Sequence, residues 1–457
     1  MQFWIGVENF AKIESAKICV DNYTVLVGHN NSGKTLLMQL IYGVSKKIVS
    51  LFDEDILNII FDKEINGVKR YIISNDNISN IVAYLNEKLK IKKESIIKEI
   101  FGKDIIVDKL YIDISINENS VYEIEIWKNE EDSEAIQKEE NSSIKYIIKF
   151  NEIYFNKICD KQKMHFLLKT SSYQEDIKLL QMPLNYFFEY NSLFFPASRT
   201  GLLLLYREFF ANKTDDMILY SSENGKIVEN EDRYGGLTKP MYEFLRFLQT
   251  YLEDDNEKNK YQKELLFFEE NLIEGHISVG KQGTLAYEPK EMGMRVPMYL
   301  ASAMINEVTP LLLAITGRNR YERLIIDEIE ASLHPEKQQE LVRFLNRLNN
   351  KGMKLMISTH SDTFVSKLNN LYILSEYVSK NPETKVMESL GFEKDDLIDT
   401  NNLFVYEFIN QPNGKSIVRE IKPDKKLGYQ FDLFTRSAIQ IYEEAVKLGE
   451  IQENGED

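Results

Sequence analysis

Only two cysteines occur in the 457 residues, Cys19 and Cys159, and they lie far apart. That excludes a disulfide framework and a cysteine-built zinc cluster, and it fits a reduced compartment. No apolar run approaches the ~20 residues needed to cross a bilayer, so neither a membrane-spanning role nor a membrane partner is expected. The opening segment MQFWIGVENFAKIES lacks the basic, apolar and small-residue sequence of a secretory signal, and a cytoplasmic location is expected. Positive charge is in deficit, with 56 Lys and Arg against 72 Asp and Glu and a net charge of -16. The surface as a whole should repel polyanions, although a local basic groove can still bind nucleic acid within an acidic protein. There is no internal repeat and no sustained heptad pattern, which excludes a solenoid and a long coiled-coil arm. What remains, 43% hydrophobic and 28% charged residues, is the composition of a soluble globular protein, and 457 residues suit a large core with an insertion or two small subdomains.

Residues 3–27 read as two or three short strands ending in the apolar run 23–27, followed by the turn-forming GHNNSG and an apolar helix, TLLMQLIYGV. From 46 to 99 the three-to-four spacing of apolar residues predicts mostly helix, in FDEDILNIIF and ISNIVAYLNEKLKI. Residues 105–127 alternate as strands do, and the acidic stretch 128–142 reads as a solvated loop with 146–150 as the return strand. Residues 201–274 read as helical again, the charge-rich 252–264 being an exposed turn and helix face. Short strands at 276–279 and 284–287 lead into an alternating run. It comprises a helix near 297–315, a strand at 323–327, a helix at 336–348 and a strand at 354–358, and it predicts a largely parallel sheet. Strands at 403–409 and 416–421 and a helix from about Asp432 close the chain.

Three segments carry chemistry. Gly28-His-Asn30-Asn31-Ser32-Gly33-Lys34-Thr35 matches G-x-x-x-x-G-K-[ST] between a strand and a helix, the context in which backbone N–H groups surround a polyphosphate. Lys34 would bridge the β- and γ-phosphates, and Thr35 would ligate Mg²⁺. Leu324-Ile-Ile-Asp327-Glu328 is an apolar strand ending in two carboxylates; Asp327 can hold Mg²⁺ through water and Glu328 can polarise the attacking water. Alone, a strand ending in two acids is common and usually marks a solvated turn. Ser358-Thr359-His360-Ser361-Asp362 ends the next strand, where His360 can contact the γ-phosphate, although a lone histidine at a strand end is more often structural. Pro335 stands at a first helical position, ahead of Leu341, Phe344, Leu345 and Leu348 on one face.

On GHNNSGKT, LIIDEIEASLHPEKQ and ISTHSD, the chain resembles the ABC-type P-loop ATPases, and within them the RecF-like and OLD-like branch that includes ATPase subunits of Septu- and PARIS-type anti-phage systems. The likeness covers residues 1–44 and about 276–370 well and the middle poorly. It implies an α/β, P-loop ABC-type head with a mixed sheet, an antiparallel β subdomain and a helical insertion. The head's halves would be 1–44 and 276–375, with an insertion at 45–275 and an extension at 376–457. It assigns Walker A to Gly28–Thr35, Walker B to Asp327 with Glu328, and the switch histidine to His360. It further implies ATP and Mg²⁺ and two heads facing each other. Two further positions follow. Ser302 stands where the family's signature motif belongs, but the expected glycine is missing, since Ala303 and Met304 follow, and this predicts slow hydrolysis or an altered dimer. Residues 297–315 can equally be a buried helix only. Arg199, in Pro196-Ala-Ser-Arg199, is similar to a Pro-x-x-Arg segment of such ATPases and could meet a phosphate, although an arginine at a turn is usually solvated or paired.

The resemblance implies a regulatory ATPase that assembles as a homodimer or higher homo-oligomer and controls a separate effector, a nuclease or a toxin. A RecF-like ATPase that binds DNA in repair is the alternative, and a transporter ATPase is disfavoured by Leu333-His334-Pro335. The roughly 90 residues after His360 show no acidic nuclease cluster.

Overall fold

Why the parallel strands read as unbroken apolar runs is plain from the computed structural model: both faces of their sheet are covered. The structure describes residues 2–53, 55–65, 68–74, 76–115, 121–129, 136–140, 143–147, 152–158, 163–166, 191–223, 236–252, 259–280, 284–291, 293–424, 426–431 and 439–448. Cys159, residues 253–258 of the charge-rich segment and the expected helix start at Asp432 lie outside the described residues.

A nine-stranded sheet runs in the order Ser192–Phe195, Arg323–Ile326, Lys354–Thr359, Tyr23–Gly28, Leu403–Asn410, Ser416–Ile421, Ile13–Cys19, Gln2–Phe10, Lys109–Ser115. The first five strands are mutually parallel; beyond them the pairings turn mainly antiparallel, with one further parallel contact between Ser416–Ile421 and Ile13–Cys19. The sheet is therefore mixed, parallel over the half that the alternating run predicted. Lys109–Ser115 and Ser192–Phe195, from the middle of the chain, are strands of this sheet, as are Leu403–Asn410 and Ser416–Ile421 from the C-terminal segment.

Side chains alternate between two cores. Leu26, Phe194, Ile325 and Met356 pack with the helices Lys34–Ser45 and Ile78–Phe101 on one face. Val25, Val27, Phe195, Leu324, Ile326 and Ile357 pack on the other with the helices Lys239–Gln249, Ala303–Thr316, Pro335–Asn350 and Asp362–Lys380. Pro335 opens its helix at the first position, behind His334 as cap, and Phe344 meets the edge of Phe268 with ring centroids 4.9 Å apart. Asp396, fully buried, ties the C-terminal segment to this helix through Arg343 (2.9 Å) and Arg347 (2.7 Å).

Three expectations need correction. Between the helices Asp55–Ile60 and Ile78–Phe101 lies a hairpin, Phe61–Ile65 with Val68–Ser74, which extends a second, antiparallel sheet; the β-branched and aromatic residues there pair with Val121–Asn129 rather than continuing a helix. Inside the acidic stretch, Ile136–Glu140 pairs with Ser143–Ile147, so the return strand begins before Tyr146. The helix expected near Pro297 starts only at Ala303, because Val296–Pro297 pairs with Ala286 and Tyr287 as a strand, a 3-10 turn covers Met298–Leu300, and Ser302 caps in an extended conformation. Among the described residues no helix is long and apolar enough to cross a membrane.

Candidate nucleotide site

Three neighbouring parallel strands, Arg323–Ile326, Lys354–Thr359 and Tyr23–Gly28, end at the same edge, the place where open parallel sheets bind ligands. Their following loops carry the three motifs.

The first loop is shaped by backbone that only particular residues adopt. Gly28 has φ 148°, and a Cβ there would stand 2.6 Å from the Phe408 carbonyl oxygen, so the strand alongside admits glycine alone. Asn31 at φ 55° and Gly33 at φ 95° complete the curl, and Lys12 Nζ donates to Asn31 O at 2.6 Å. Asn30 and Asn31 are exposed, while Ser32 is buried. Helix Lys34–Ser45 then begins at Gly33 with no side-chain cap, and its first intrahelical bond is Leu37 N–H to Gly33 O. The opening N–H groups thus lack a side-chain acceptor, which is what an anion at a helix N-terminus requires. Lys34 is 5% exposed; its ammonium donates to Gly28 O (3.0 Å), His29 O (2.8 Å) and Ser32 Oγ (3.2 Å). Burial lowers its pKa to about 8 against the upward pull of Asp327, Glu328 and Glu330.

The second loop meets the first. Thr35 Oγ1 donates to Asp327 Oδ2 at 2.7 Å, joining residues 292 apart in sequence. Asp327 is 1% exposed, and its other oxygen accepts from Ser358 Oγ at 2.6 Å. A hydroxyl and a carboxylate side by side are hard oxygen donors, the kind that hold Mg²⁺ together with phosphate and water. Among the described residues no group of three or more His, Cys, Asp or Glu forms a protein-only metal cage. Glu328 adopts φ 48°, a conformation non-glycine residues rarely take, and its carboxylate stands 3.9 Å from His360 Nε2. Glu330 accepts the His360 backbone N–H at 2.5 Å. Burial first and the Lys34 charge second push the His360 imidazole below its usual pKa.

The structure brings Gly28–Thr35, Asp327, Glu328 and His360 to one edge and sets two candidates apart. Arg199 does not point at the loop. It is 2% exposed, paired with Glu307 at 2.6 Å, and donates to the carbonyl oxygens of Asp327 (2.7 Å), Glu328 (3.1 Å) and Pro196 (3.2 Å), so its nitrogens are taken from behind the carboxylate turn. The paired reading of this arginine replaces the phosphate contact. Ser302 caps helix Ala303–Thr316, its Oγ accepting Ile305 N–H at 3.3 Å, and it is exposed beside Tyr299 (73%) and Leu300 (67%). The helix it opens is buried from Ile305 to Ile315, so the segment is a core helix with an exposed head. Ser358 and Glu307 were not singled out from sequence: a serine inside a strand and a glutamate inside an apolar helix give no signal until the partners Asp327 and Arg199 are seen.

A profile of the family described as "AAA ATPase domain" matches residues 4–189 and 310–365, together more than half of the chain. No curated protein matches. In structure the chain is similar to an SMC head bound to the C-winged helix domain of ScpA, with 11% identity, 93% of this chain and 98% of that one covered, and a TM-score of 0.38. It is similar also to the SMC head domain from Thermotoga maritima, with 10% identity, 92% and 100% covered and a TM-score of 0.34. A third is an Smc head domain with an extended coiled coil bound to the C-terminal domain of ScpA derived from Pyrococcus furiosus, with 10% identity, 97% and 98% covered and a TM-score of 0.31.

Proposed function

Because the chain belongs to the AAA ATPase domain family and is an ATPase with a P-loop, ABC-type head fold, we propose that it is the regulatory ATPase subunit of an anti-phage defence complex. In this reading it cycles on ATP and Mg²⁺ at the Gly28–Thr35 edge and controls a separate nuclease or toxin. The single observation that supports the catalytic part is the 2.7 Å contact between Thr35 and Asp327, residues 292 apart in sequence.

Lys34 exchanges its loop acceptors for phosphate oxygens, and the opening N–H groups of the helix face the same anion. Thr35 and Asp327 would hold Mg²⁺, which would supply charge neutralisation for the transferred phosphoryl group. Glu328 orients the attacking water, and His360, an N–H donor, faces the γ-phosphate oxygens. The exposed head of the helix at Ser302, flanked by Tyr299 and Leu300, supports pairing of two heads. With Met304 where glycine would allow close backbone approach, turnover is slow. The segment after His360 contributes strands Leu403–Asn410 and Ser416–Ile421 to the head's own sheet, which favours an output carried by another chain.

The test is ATP hydrolysis by the purified protein, joined to isolation of tagged Glu328→Gln protein from its native host in ATP and Mg²⁺. A stoichiometric nuclease or toxin in the complex supports the reading. A dimer carrying only DNA overturns it in favour of a DNA-repair ATPase.

A further inference from the structure

Glu328 is aimed by its backbone, because its carboxylate is beyond hydrogen-bond reach of His360 at 3.9 Å. That backbone is held from two sides. Its N–H donates to Ser358 Oγ at 2.9 Å, and its carbonyl accepts from Arg199 Nη2 at 3.1 Å. The same guanidinium takes the Asp327 carbonyl at 2.7 Å through Nη1 and reaches toward Ile329 O at 3.5 Å. A planar fork with five N–H groups is the side chain able to serve successive carbonyls of a turn and a carboxylate together.

The charge of Arg199 is balanced by Glu307, 2.6 Å away, with both side chains almost wholly buried at 3% and 2%. Glu307 also accepts from the Thr200 hydroxyl, and its backbone carbonyl accepts Arg199 Nε at 3.2 Å. A buried ion pair is a poor source of stability compared with apolar residues of similar volume, so its value here lies in geometry. Glu307 belongs to helix Ala303–Thr316, whose exposed head is Ser302. A continuous path therefore runs from that head, through Glu307 and Arg199, to the turn that points Glu328.

We propose that Arg199 and Glu307 are positioning residues for ATP hydrolysis, fixing the direction of Glu328 and making it depend on where the helix headed by Ser302 sits. The proposal rests on Glu328 being the hydrolytic carboxylate. The polar contacts of Arg199 and Glu307 run to residues 196, 200 and 327–329 and to each other, not to the loop Gly28–Thr35, so altering the pair is expected to act on turnover far more than on ATP affinity. A displacement of about 1 Å in a reacting group lowers turnover on the order of 100-fold.

The experiment compares Arg199→Lys, Glu307→Gln and the double variant Arg199→Met with Glu307→Met, reading ATP affinity, KM, kcat and thermal midpoint, each also in a Glu328→Gln background. Expected are ATP affinity within about twofold of wild type and kcat lowered on the order of 100-fold. In the double variant the thermal midpoint returns while kcat does not, and in the Glu328→Gln background the changes cause no further loss of kcat. Recovery of midpoint and kcat together in the double variant would show a merely structural pair and overturn the proposal, and so would a loss of ATP affinity that accounts for the whole effect. Should Glu328→Gln alone turn over normally, the assignment of Glu328 falls first and the proposal with it.

Discussion

The phosphate-type loop and the carboxylate turn stand at the same sheet edge and are held in opposite ways. The loop Gly28–Thr35 is held mostly by its own residues: positive φ at Gly28, Asn31 and Gly33 makes the curl and Lys34 is bonded to the loop's own oxygens, with Lys12 on Asn31 O and Asp327 on Thr35 as its contacts from outside. The turn Asp327–Ser332 is held from elsewhere, by Ser358 on the next strand, Arg199 on a helix more than a hundred residues upstream, and the Phe195 carbonyl that accepts the Asp327 N–H at 2.9 Å. A loop held mostly by its own residues depends little on its surroundings. A turn held by remote groups reports on them.

Changes to the loop should therefore act on binding, and changes to the turn on turnover. The largest expected effect on binding is Lys34→Ala, which should weaken ATP binding by about 2–5 kcal/mol, because the binding pocket loses its buried positive charge. Calorimetric titration checks this, and unchanged affinity would remove Lys34 from the site. Next comes Glu328→Gln, expected to lower kcat about 10²–10⁴-fold with ATP affinity retained, measured by phosphate release; normal turnover there moves the role to another group, Glu330 first. Gly28→Ala should cost about 1–3 kcal/mol of stability, since its φ and the Phe408 carbonyl at 2.6 Å both resist a side chain, and denaturant midpoints will read it. Ser358→Ala strands Asp327 Oδ1 and the Glu328 N–H, and about 1–3 kcal/mol should be lost together with turnover.

The smallest effect is a pH dependence that separates the two loops. Lys34 is lowered from 10.5 to about 8 by burial, so the folded protein binds its proton less tightly than the unfolded chain does. Between about pH 8 and 10.5 the unfolded state holds the extra proton, and by linkage the nucleotide-free protein gains stability from this group as pH rises through that window. ATP affinity should run the other way, falling severalfold as pH rises through about 8 and Lys34 loses its charge. An affinity flat from pH 7 to 9, measured by fluorescent-nucleotide titration, would mean that the ammonium does not meet the nucleotide.

This contrast also explains what the sequence could disclose. Gly28, Gly33, Lys34 and Thr35 are legible because a local backbone shape demands them at fixed spacing. The parallel strands are legible because burial on both faces leaves apolar runs, and the helix after Pro335 because its cap and its buried face coincide. The true place of Arg199 was not legible, since one arginine at a turn looks the same whether it meets phosphate or backbone carbonyls. The hairpin at Phe61–Ser74 was missed because the residues on either side of it carry helical spacing and the change of period is short. Ser302 was legible as a position and not as a shape: the extended cap beyond the turn at Met298–Leu300 depends on Pro297 pairing with Ala286.

The strand Tyr23–Gly28 has Lys354–Thr359 on one side and Leu403–Asn410 on the other. Both flanking strands are synthesised long after it, and at 5–20 residues per second its two edges wait on the order of tens of seconds on the ribosome. For that time one of the most apolar strands in the protein is an open template for pairing with another chain. Synthesis of Lys354–Thr359 supplies one partner for it and synthesis of Leu403–Asn410 the other, so the two edges close one after the other. A chain cut short of Lys354 carries Tyr23–Gly28 with neither flanking strand, and an unpaired apolar strand is an aggregation hazard.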